Sequence, residues 1–502
     1  MDYCSTRGKK NEKRLYSAAE AVLMGLAPDG GLFVPAAPWP PVSLEQLTAR
    51  SYPGLAAAII QPFLEQFSAG EINVLLQKAY GGGAFDHPMV VPLHRLTDNL
   101  YFMELWHGPT CAFKDLALQF LPHLLHAASV KVGGNSTTVL LVATSGDTGK
   151  AALEGFRDLP GTKVIVFYPL EGVSEVQKQQ MITQEGANLH VAAVRGNFDH
   201  AQAGVKALLG DRFIADRMAR RGLRFSTANS INWGRLLPQI VYYFSAYLEL
   251  RRTGAAGPAE KINFVVPTGN FGNILAAFYA FRMGLPVNRL ICAANRNRVL
   301  TDFISEGHYS RNRPFYRTIS PSMDILASSN LERLLYELTG RDAARISEWM
   351  RLLRKEGAFQ IGPELKKAVG EIFWSHCADD GETLNLIRET YLHHRYLLDP
   401  HTAVGLAVYE KYRSATGDSS KTIIAATASP FKFAESVVGA LLPPDRIAGQ
   451  NAFQLLPLLA EATGLQIPAP LQDLDLLPPQ HRTIIDKDGI RGAVLRYLDL
   501  EE

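Results

Sequence analysis

The chain has no surplus of charge of either sign. Its 502 residues carry 51 basic and 49 acidic side chains, a formal net charge of +2. That balance excludes a general nucleic-acid binder, which needs a basic excess gathered on one face. Cysteine is scarce: Cys4, Cys111, Cys292 and Cys377 are scattered, with no Cys-x-x-Cys pair. They read as reduced thiols of a cytoplasmic protein, neither a disulfide framework nor a zinc site. No apolar run reaches the roughly 18 residues that a membrane-spanning helix requires, so no membrane partner is expected. The start, residues 1–14, is basic and polar, and Ser17, Glu20 and Gly25 interrupt the apolar residues after it, so a secretory signal is not expected. Repeats of 20–50 residues and low-complexity tracts are lacking. So are a Gly-x-Gly-x-x-Gly fingerprint, a Gly-x-Ser-x-Gly elbow and a His-Glu-x-x-His helix. His393, His394 and His401 do not have metal-ligand spacing, and His401 reads as a turn residue; no metal is expected.

What is present is an ordinary apolar share, 47%, on a chain long enough for about two to four domains. Turn chemistry at Pro28-Asp29-Gly30-Gly31 and the stretch from Pro35 to Pro41 suit connectors between small elements. Gly81-Gly82-Gly83 breaks the chain again, and a first domain is expected over residues 1–95. The remainder, 96–502, is expected to form the larger part of the fold, including a smaller inner lobe at about 128–245. Short β-branched runs recur at Thr138 to Thr144, Lys163 to Pro169, Leu189 to Val194, Lys261 to Pro267, Arg289 to Ala294 and Thr422 to Thr427. Helical composition fills many of the gaps, as at Val176 to Glu185, Leu236 to Leu250 and Ile274 to Met283. Strands alternating with helices predict an α/β fold with mainly parallel sheet covered on both faces. Arg341 to His394 reads as mostly helical. The tail, with Pro468, Pro470, Pro478 and Pro479, reads as irregular.

In an open parallel sheet, ligands bind beyond the carboxyl ends of the strands, and several strands here run into small polar loops. Pro267-Thr268-Gly269-Asn270-Phe271-Gly272-Asn273 precedes helical sequence. It is either a phosphate cradle, using free amides and the positive helix end, or a tight strand–helix turn. Thr144-Ser145-Gly146-Asp147-Thr148-Gly149-Lys150 lacks the leading glycine and trailing hydroxyl of a nucleotide phosphate loop. It is suited to a carboxylate, or is simply a capped helix start. Thr427-Ala428-Ser429-Pro430 offers two hydroxyls that by themselves are caps. Lys114 lies between Phe113 and an apolar helical run. A lysine is normally solvated, but one at a helix N-terminus in partly apolar surroundings has its ammonium form disfavoured, as a Schiff-base lysine requires. Asn229-Ser230-Ile231-Asn232-Trp233-Gly234-Arg235 is either an N-cap before a helix or a pocket in which an arginine fork and neutral donors meet an anion.

Together these segments resemble one family, the bacterial-type threonine synthases, among the fold-type-II pyridoxal-phosphate enzymes of the tryptophan synthase β-like superfamily. The match is carried by Trp106 to Asp115 (WHGPTCAFKD), Ala143 to Gly149 (ATSGDTG), Ala228 to Arg235 (ANSINWGR) and Pro267 to Asn273 (PTGNFGN). Ser320 to Leu326 (SPSMDIL), Asp399 to Gly405 (DPHTAVG) and Thr427 to Phe433 (TASPFKF) extend it. Ser5 to Gly8 and Leu26 to Phe33 resemble that family's N-terminal domain, so the likeness spans at least residues 5–445. The implied fold is α/β of fold type II, two mainly parallel sheets flanked by helices plus a small N-terminal domain.

The resemblance implies pyridoxal 5'-phosphate as cofactor, carried by Lys114 beside Phe113 and Asp147. Gly269, Asn270, Phe271, Gly272 and Asn273 would cradle its phosphate and Thr427 would meet its ring nitrogen. Ser145, Gly146 and Thr148 would hold the substrate carboxylate; Asn229, Ser230 and Arg235 would hold the substrate phosphate. The implied reaction converts O-phospho-L-homoserine and water to L-threonine and phosphate. The alternative is a threonine-synthase-like phospho-lyase that releases a 2-oxo acid, ammonia and phosphate with the same motifs. The implied protein is a cytoplasmic monomer or homodimer whose inner lobe closes to exclude water. Arg296 and Arg298 stand where relatives carry acidic or neutral polar residues; they matter to the ligands only if they face the cleft.

Overall fold

The structure is a computed structural model that describes residues 1–8, 14–48, 50–134 and 136–500; part of the basic start, residues 9–13, lies outside them. A short antiparallel ribbon joins β1 (Tyr3–Ser5) to β2 (Phe33–Pro35). Helices Tyr52–Ile60 and Ala69–Tyr80 follow, the second opened by a Ser68/Glu71 capping box and stopped at Gly81. The chain then enters β3 (Leu93–Arg95) and β4 (Leu100–Glu104). Next come β5 (Thr137–Ala143), β6 (Thr162–Pro169), β7 (Leu189–Arg195) and β8 (Leu223–Ser226). Beyond them lie β9 (Ile262–Pro267), β10 (Val287–Ala294) and a hairpin of β11 (His308–Ser310) and β12 (Ala358–Gln360). The remaining strands are β13 (Phe373–Cys377), β14 (Thr422–Ala426) and β15 (Thr483–Asp486).

Two sheets result. The larger has the order β13-β10-β9-β14-β4-β3 and is parallel except for β3 on β4. The smaller has the order β15-β7-β6-β5-β8 and is wholly parallel. Alternation along each strand divides the core. Leu140, Val142, Val164 and Val166 of the small sheet share one apolar cluster with Phe264, Val266 and Leu290 of the large sheet and with the N-terminal helices. Their neighbours Val139, Leu141, Ile165 and Phe167 face helices Phe198–Leu209 and Ile490–Tyr497 instead. On the far side of the large sheet, Val265, Ile291 and Ile424 pack under helices Pro400–Thr416 and Ala452–Thr463.

Two segments differ from the sequence reading. Arg341 to His394 holds helices Ala343–Lys355, Pro363–Ile372 and Asp380–His394, but also β12 and β13, the latter an edge of the large sheet. The tail is irregular only in part: β15 pairs with β7, and helix Ile490–Tyr497 packs on the same lobe. Of these strands, β13 and β15 are partly exposed edge strands of the two main sheets, without the apolar runs that mark the central ones. The small sheet thus takes four strands from 137–226 and its fifth from 483–486. No helix among the described residues is long and apolar enough to cross a membrane.

Candidate active site

One cleft opens where the carboxyl ends of β4, β9 and β14 in the large sheet face those of β5 and β8 in the small one. About 130 Å³ within it is accessible to water-sized molecules. Of the residues singled out by sequence, Phe113, Lys114, Ser145, Asp147, Thr148, Asn229, Ser230, Arg235, Gly269 to Asn273 and Thr427 all line it. Gly146 does not. Its φ of +129° and the 2.5 Å that would separate an added Cβ from Gln177 Cδ make it the pivot of the turn.

Lys114 is positioned by its loop. Ala112 forms a bridge with Ala428, Phe113 N donates to Thr427 O at 2.9 Å, and Ser429 N donates to Cys111 O at 3.0 Å. The loop after β14 is thereby stitched to the lysine, which caps helix Asp115–Leu118. Asp115 belongs to that helix, but its carboxylate turns back to accept from Thr110 N and Oγ1 at 2.8 and 2.6 Å. Lys114 Nζ donates to Asp147 Oδ2 at 2.9 Å, lies within 3.5 Å of Ser322 Oγ, and sits 4.7 Å from the Phe113 ring centre. Burial lowers its pKa, Asp147 opposes this, and Lys432 and Arg235 add to the lowering. Burial by itself would raise the pKa of Asp147, but Lys114 and Lys432 hold it well below the carboxylate range.

The loop after β9 enters helix Gly272–Arg282 through Phe271 in the left-handed region, φ 63°. The first amides of that helix have no intrahelical acceptor and point into the cleft with the positive end of the dipole. Tyr242 and Tyr243 hydroxyls each donate to Asn273 Oδ1 at 2.5 Å, which leaves Asn273 Nδ2 without a partner among the described residues. Gly269 is required by close approach, since a Cβ there would lie 2.5 Å from Ser322 O.

Beside it stands Arg235, 3% exposed. Its Nη1 donates to Ala228 O at 2.7 Å, but its Nε and the nearby Asn229 Oδ1 have no partner among the described residues. No carboxylate among the described residues pairs with it, and burial lowers the guanidinium pKa to about 10. A buried cation without a counter-ion is costly, and an anionic ligand would relieve that cost. The helix-start readings hold alongside these: Thr144 Oγ1 accepts from Gly146 and Gly149 amides, and Asn232 caps helix Trp233–Leu236.

Other cleft residues escaped the sequence reading. His401 is no turn residue: it sits in the first turn of helix Pro400–Thr416, buried, and lines the cleft. Its Nε2 accepts from Ser322 N at 3.1 Å, which places its ring proton on Nδ1, 2.8 Å from Asp399 Oδ1. Asn330 Nδ2 donates to both Ser230 O and Asn270 O at 3.1 Å, and the buried Arg333 ties Asn330 Oδ1 and Ile231 O to Phe33 O of β2. One side-chain pair thus fixes both anion-ready loops to the N-terminal ribbon. Lys432 and Gln177 complete the surroundings of Asp147, at 2.7 and 2.8 Å from Oδ1. His401 and Lys432 fall inside two of the quoted motifs, which was their only signal; Asn330, Arg333 and Gln177 had none. Arg296 and Arg298 face solvent, the first over the Tyr316 ring and the second paired with Asp302, so neither adds charge to the cleft.

A buried lysine between two mainly parallel sheets, flanked by an open helix start and a threonine at a strand end, is an arrangement that fits a pyridoxal-phosphate-dependent enzyme of fold type II. The unpartnered Asn273 Nδ2 and Arg235 Nε, with the open helix amides, fit a phosphorylated cofactor beside a second anion. Comparison with known proteins agrees. Residues 85–369 match the family of pyridoxal-phosphate dependent enzymes, residues 2–80 the threonine synthase N terminus, and residues 402–456 the threonine synthase C-terminal region. The chain is 40% identical over 441 residues to threonine synthase of Pseudomonas aeruginosa, covering 87% of this chain and 90% of that one. It is also 40% identical to human threonine synthase-like 1, over 84% of this chain, and spans about 58% of that protein's length. The crystal structure of pyridoxal-phosphate-bound threonine synthase from Brucella melitensis superposes with a TM-score of 0.84 at 36% identity, covering 99% of each chain. The chain belongs to the threonine synthase family.

Proposed function

We propose that the protein is a threonine synthase, converting O-phospho-L-homoserine and water to L-threonine and phosphate with pyridoxal 5'-phosphate on Lys114. The observation that carries this reading is the pair of anion-ready pockets beside one buried lysine: the Gly272 helix start with Asn273, and Arg235 with Asn229. A phosphorylated amino acid beside a phosphorylated cofactor uses both.

When bound, the cofactor supplies the electron sink that makes the substrate Cα and Cβ protons removable. The residues that would hold it are Lys114, Gly269 to Asn273 through backbone amides, and Thr427, whose neutral hydroxyl suits an unprotonated ring nitrogen. Ser145 and Thr148, with the amides of their turn, bind the substrate carboxylate. Lys114 Nζ, a weaker base than a solvated lysine, moves the proton at Cα. Arg235, Asn229 and Ser230 grip the phosphate at Cγ and retain it as it leaves; a proton replaces it at Cγ, the hydroxyl of water adds at Cβ, and the Cα proton is returned, the remaining proton of water going to the released phosphate. Excluding other water falls to the inner lobe, whose helix Phe198–Leu209 brings Phe198 and Gln202 to the cleft wall. The enzyme acts in the cytoplasm, as a monomer or homodimer, without nucleic acid or membrane.

Product analysis tests this. Incubation with O-phospho-L-homoserine and pyridoxal phosphate should yield threonine and inorganic phosphate in equal amounts. Release of 2-oxobutyrate and ammonia in place of threonine would assign the phospho-lyase reaction instead.

A further inference from the structure

Asp147 is shared by two lysines. Its Oδ2 takes Lys114 Nζ at 2.9 Å and Ser322 Oγ at 3.2 Å, while Oδ1 takes Lys432 Nζ at 2.7 Å and Gln177 Nε2 at 2.8 Å. The lysines differ in setting. Lys432 is wholly buried, and its other bond is to Thr110 O at 2.8 Å. Lys114 lines the open cleft, with a tenth of its side chain exposed. We propose that Lys432 is the standing counter-ion of Asp147, a positioning residue that releases Lys114 from that duty so that Lys114 can present a neutral amine in the cleft.

The argument is a charge count in a buried cluster. With both lysines protonated, two cations face one carboxylate and the cluster carries a net positive charge, which burial disfavours. If Lys114 gives up its proton, the Asp147–Lys432 pair remains balanced and fully hydrogen-bonded. If Lys432 gave up its proton, a buried amine would replace the cation in a 2.7 Å ion pair that has no access to solvent. The proton therefore leaves from Lys114. Without Lys432 the count reverses: Asp147 and a protonated Lys114 balance, and deprotonation strands a lone buried carboxylate.

The remaining groups around Lys114 do not take over this role. Arg235 adds a further cation that favours the neutral amine. On the lysine's own segment, burial pushes the Cys111 thiol up to about 12 and Asp115 up to about 6, and Asp115 is occupied by Thr110. His401 spends its nitrogens on Ser322 N and Asp399.

This inference rests on the reading of Lys114 as the cofactor lysine, but its test does not. The cofactor-free chain is acetylated competitively with acetic anhydride across a pH series, and mass spectrometry of the Lys114 peptide gives the midpoint at which that amine becomes reactive. In Lys432→Met the midpoint should rise by at least about one pH unit, roughly tenfold less acetylation at any pH below it. Lys432→Arg, which keeps the charge, should leave it in place. An unmoved midpoint in Lys432→Met, or an equal rise in Lys432→Arg, overturns the proposal. Should Lys432→Met fail to fold, Asp147→Asn/Lys432→Met is compared with Asp147→Asn. Loss of the neighbouring cation must place the double variant's midpoint higher, and equality overturns the proposal. Borohydride reduction of the native chain with pyridoxal phosphate tests the cofactor reading separately. A phosphopyridoxyl group found on another lysine refutes that reading and leaves the acetylation result to judge Lys432.

Discussion

Replacing Arg235 with methionine should separate substrate recognition from both cofactor binding and folding. The guanidinium is buried and bonded to Ala228 O, and its Nε has no partner among the described residues. A substrate phosphate held by such a group gains about 1.5–3 kcal/mol per charged hydrogen bond. Losing about 3 kcal/mol lowers kcat/KM for phosphohomoserine roughly 150-fold. Cofactor affinity should change by less than about threefold, because its phosphate is assigned to the Gly272 helix start. Stability should move the other way. Burial lowers the Arg235 pKa to about 10, which works against the charged form by roughly 3 kcal/mol. The lost bond to Ala228 O costs about 1–2 kcal/mol. Methionine keeps most of the apolar stem, so the ligand-free variant should be at least as stable, by roughly 1–2 kcal/mol. Steady-state kinetics, spectrophotometric titration with pyridoxal phosphate and thermal melts of the ligand-free protein measure the three quantities. Equal loss of substrate and cofactor affinity would show that the substrate phosphate lies elsewhere. A melt lowered by several degrees would make Arg235 a structural residue.

Lys114→Ala should abolish the visible absorbance of covalently held cofactor and turnover together; a retained covalent band would remove Lys114 from its role. Gly146→Ala forces a side chain onto a φ of +129° and a Cβ to 2.5 Å from Gln177 Cδ. It should cost about 2 kcal/mol or more in denaturant unfolding and weaken cofactor binding by displacing a partner of Asp147; wild-type values for both would contradict the geometry. His107 lies between Asp86 and Glu104 at 2.5 and 2.9 Å. Burial lowers its pKa, but the two carboxylates outweigh burial and raise it above 6.5. Its contribution to stability is therefore complete below about pH 6.5 and lost as pH rises through the raised value. Thermal melts of wild type and His107→Gln should converge across that interval, and a gap that widens with pH would reverse the sign.

The loops at the cleft were legible because each follows a buried apolar strand and carries a local signal: glycines and asparagines at 269–273, hydroxyls at 144–148 and 427–429, a lysine among apolar neighbours at 114. Central strands were legible for the same reason, since burial on both faces leaves an unbroken β-branched run. β13 and β15 were not, because an edge strand is chosen by the neighbour that offers it hydrogen bonds. Asn330, Arg333, His401, Lys432 and Gln177 were not either. Each is an unremarkable polar residue by itself, and its role comes from contacts with segments as distant as the 322 residues between Lys432 and Thr110.

The sequence by itself determined the α/β class, the family and which loops line the cleft beside Lys114, because these depend on composition and motif at short range. A net charge of +2 concealed the electrostatics of the site. Tertiary structure decided that Arg235 is buried without a counter-ion among the described residues, that Arg296 and Arg298 face solvent, and that Asp147 sits between two lysines. Only folding brings distant charges into a shared low-dielectric space, where burial and pairing set what each can do.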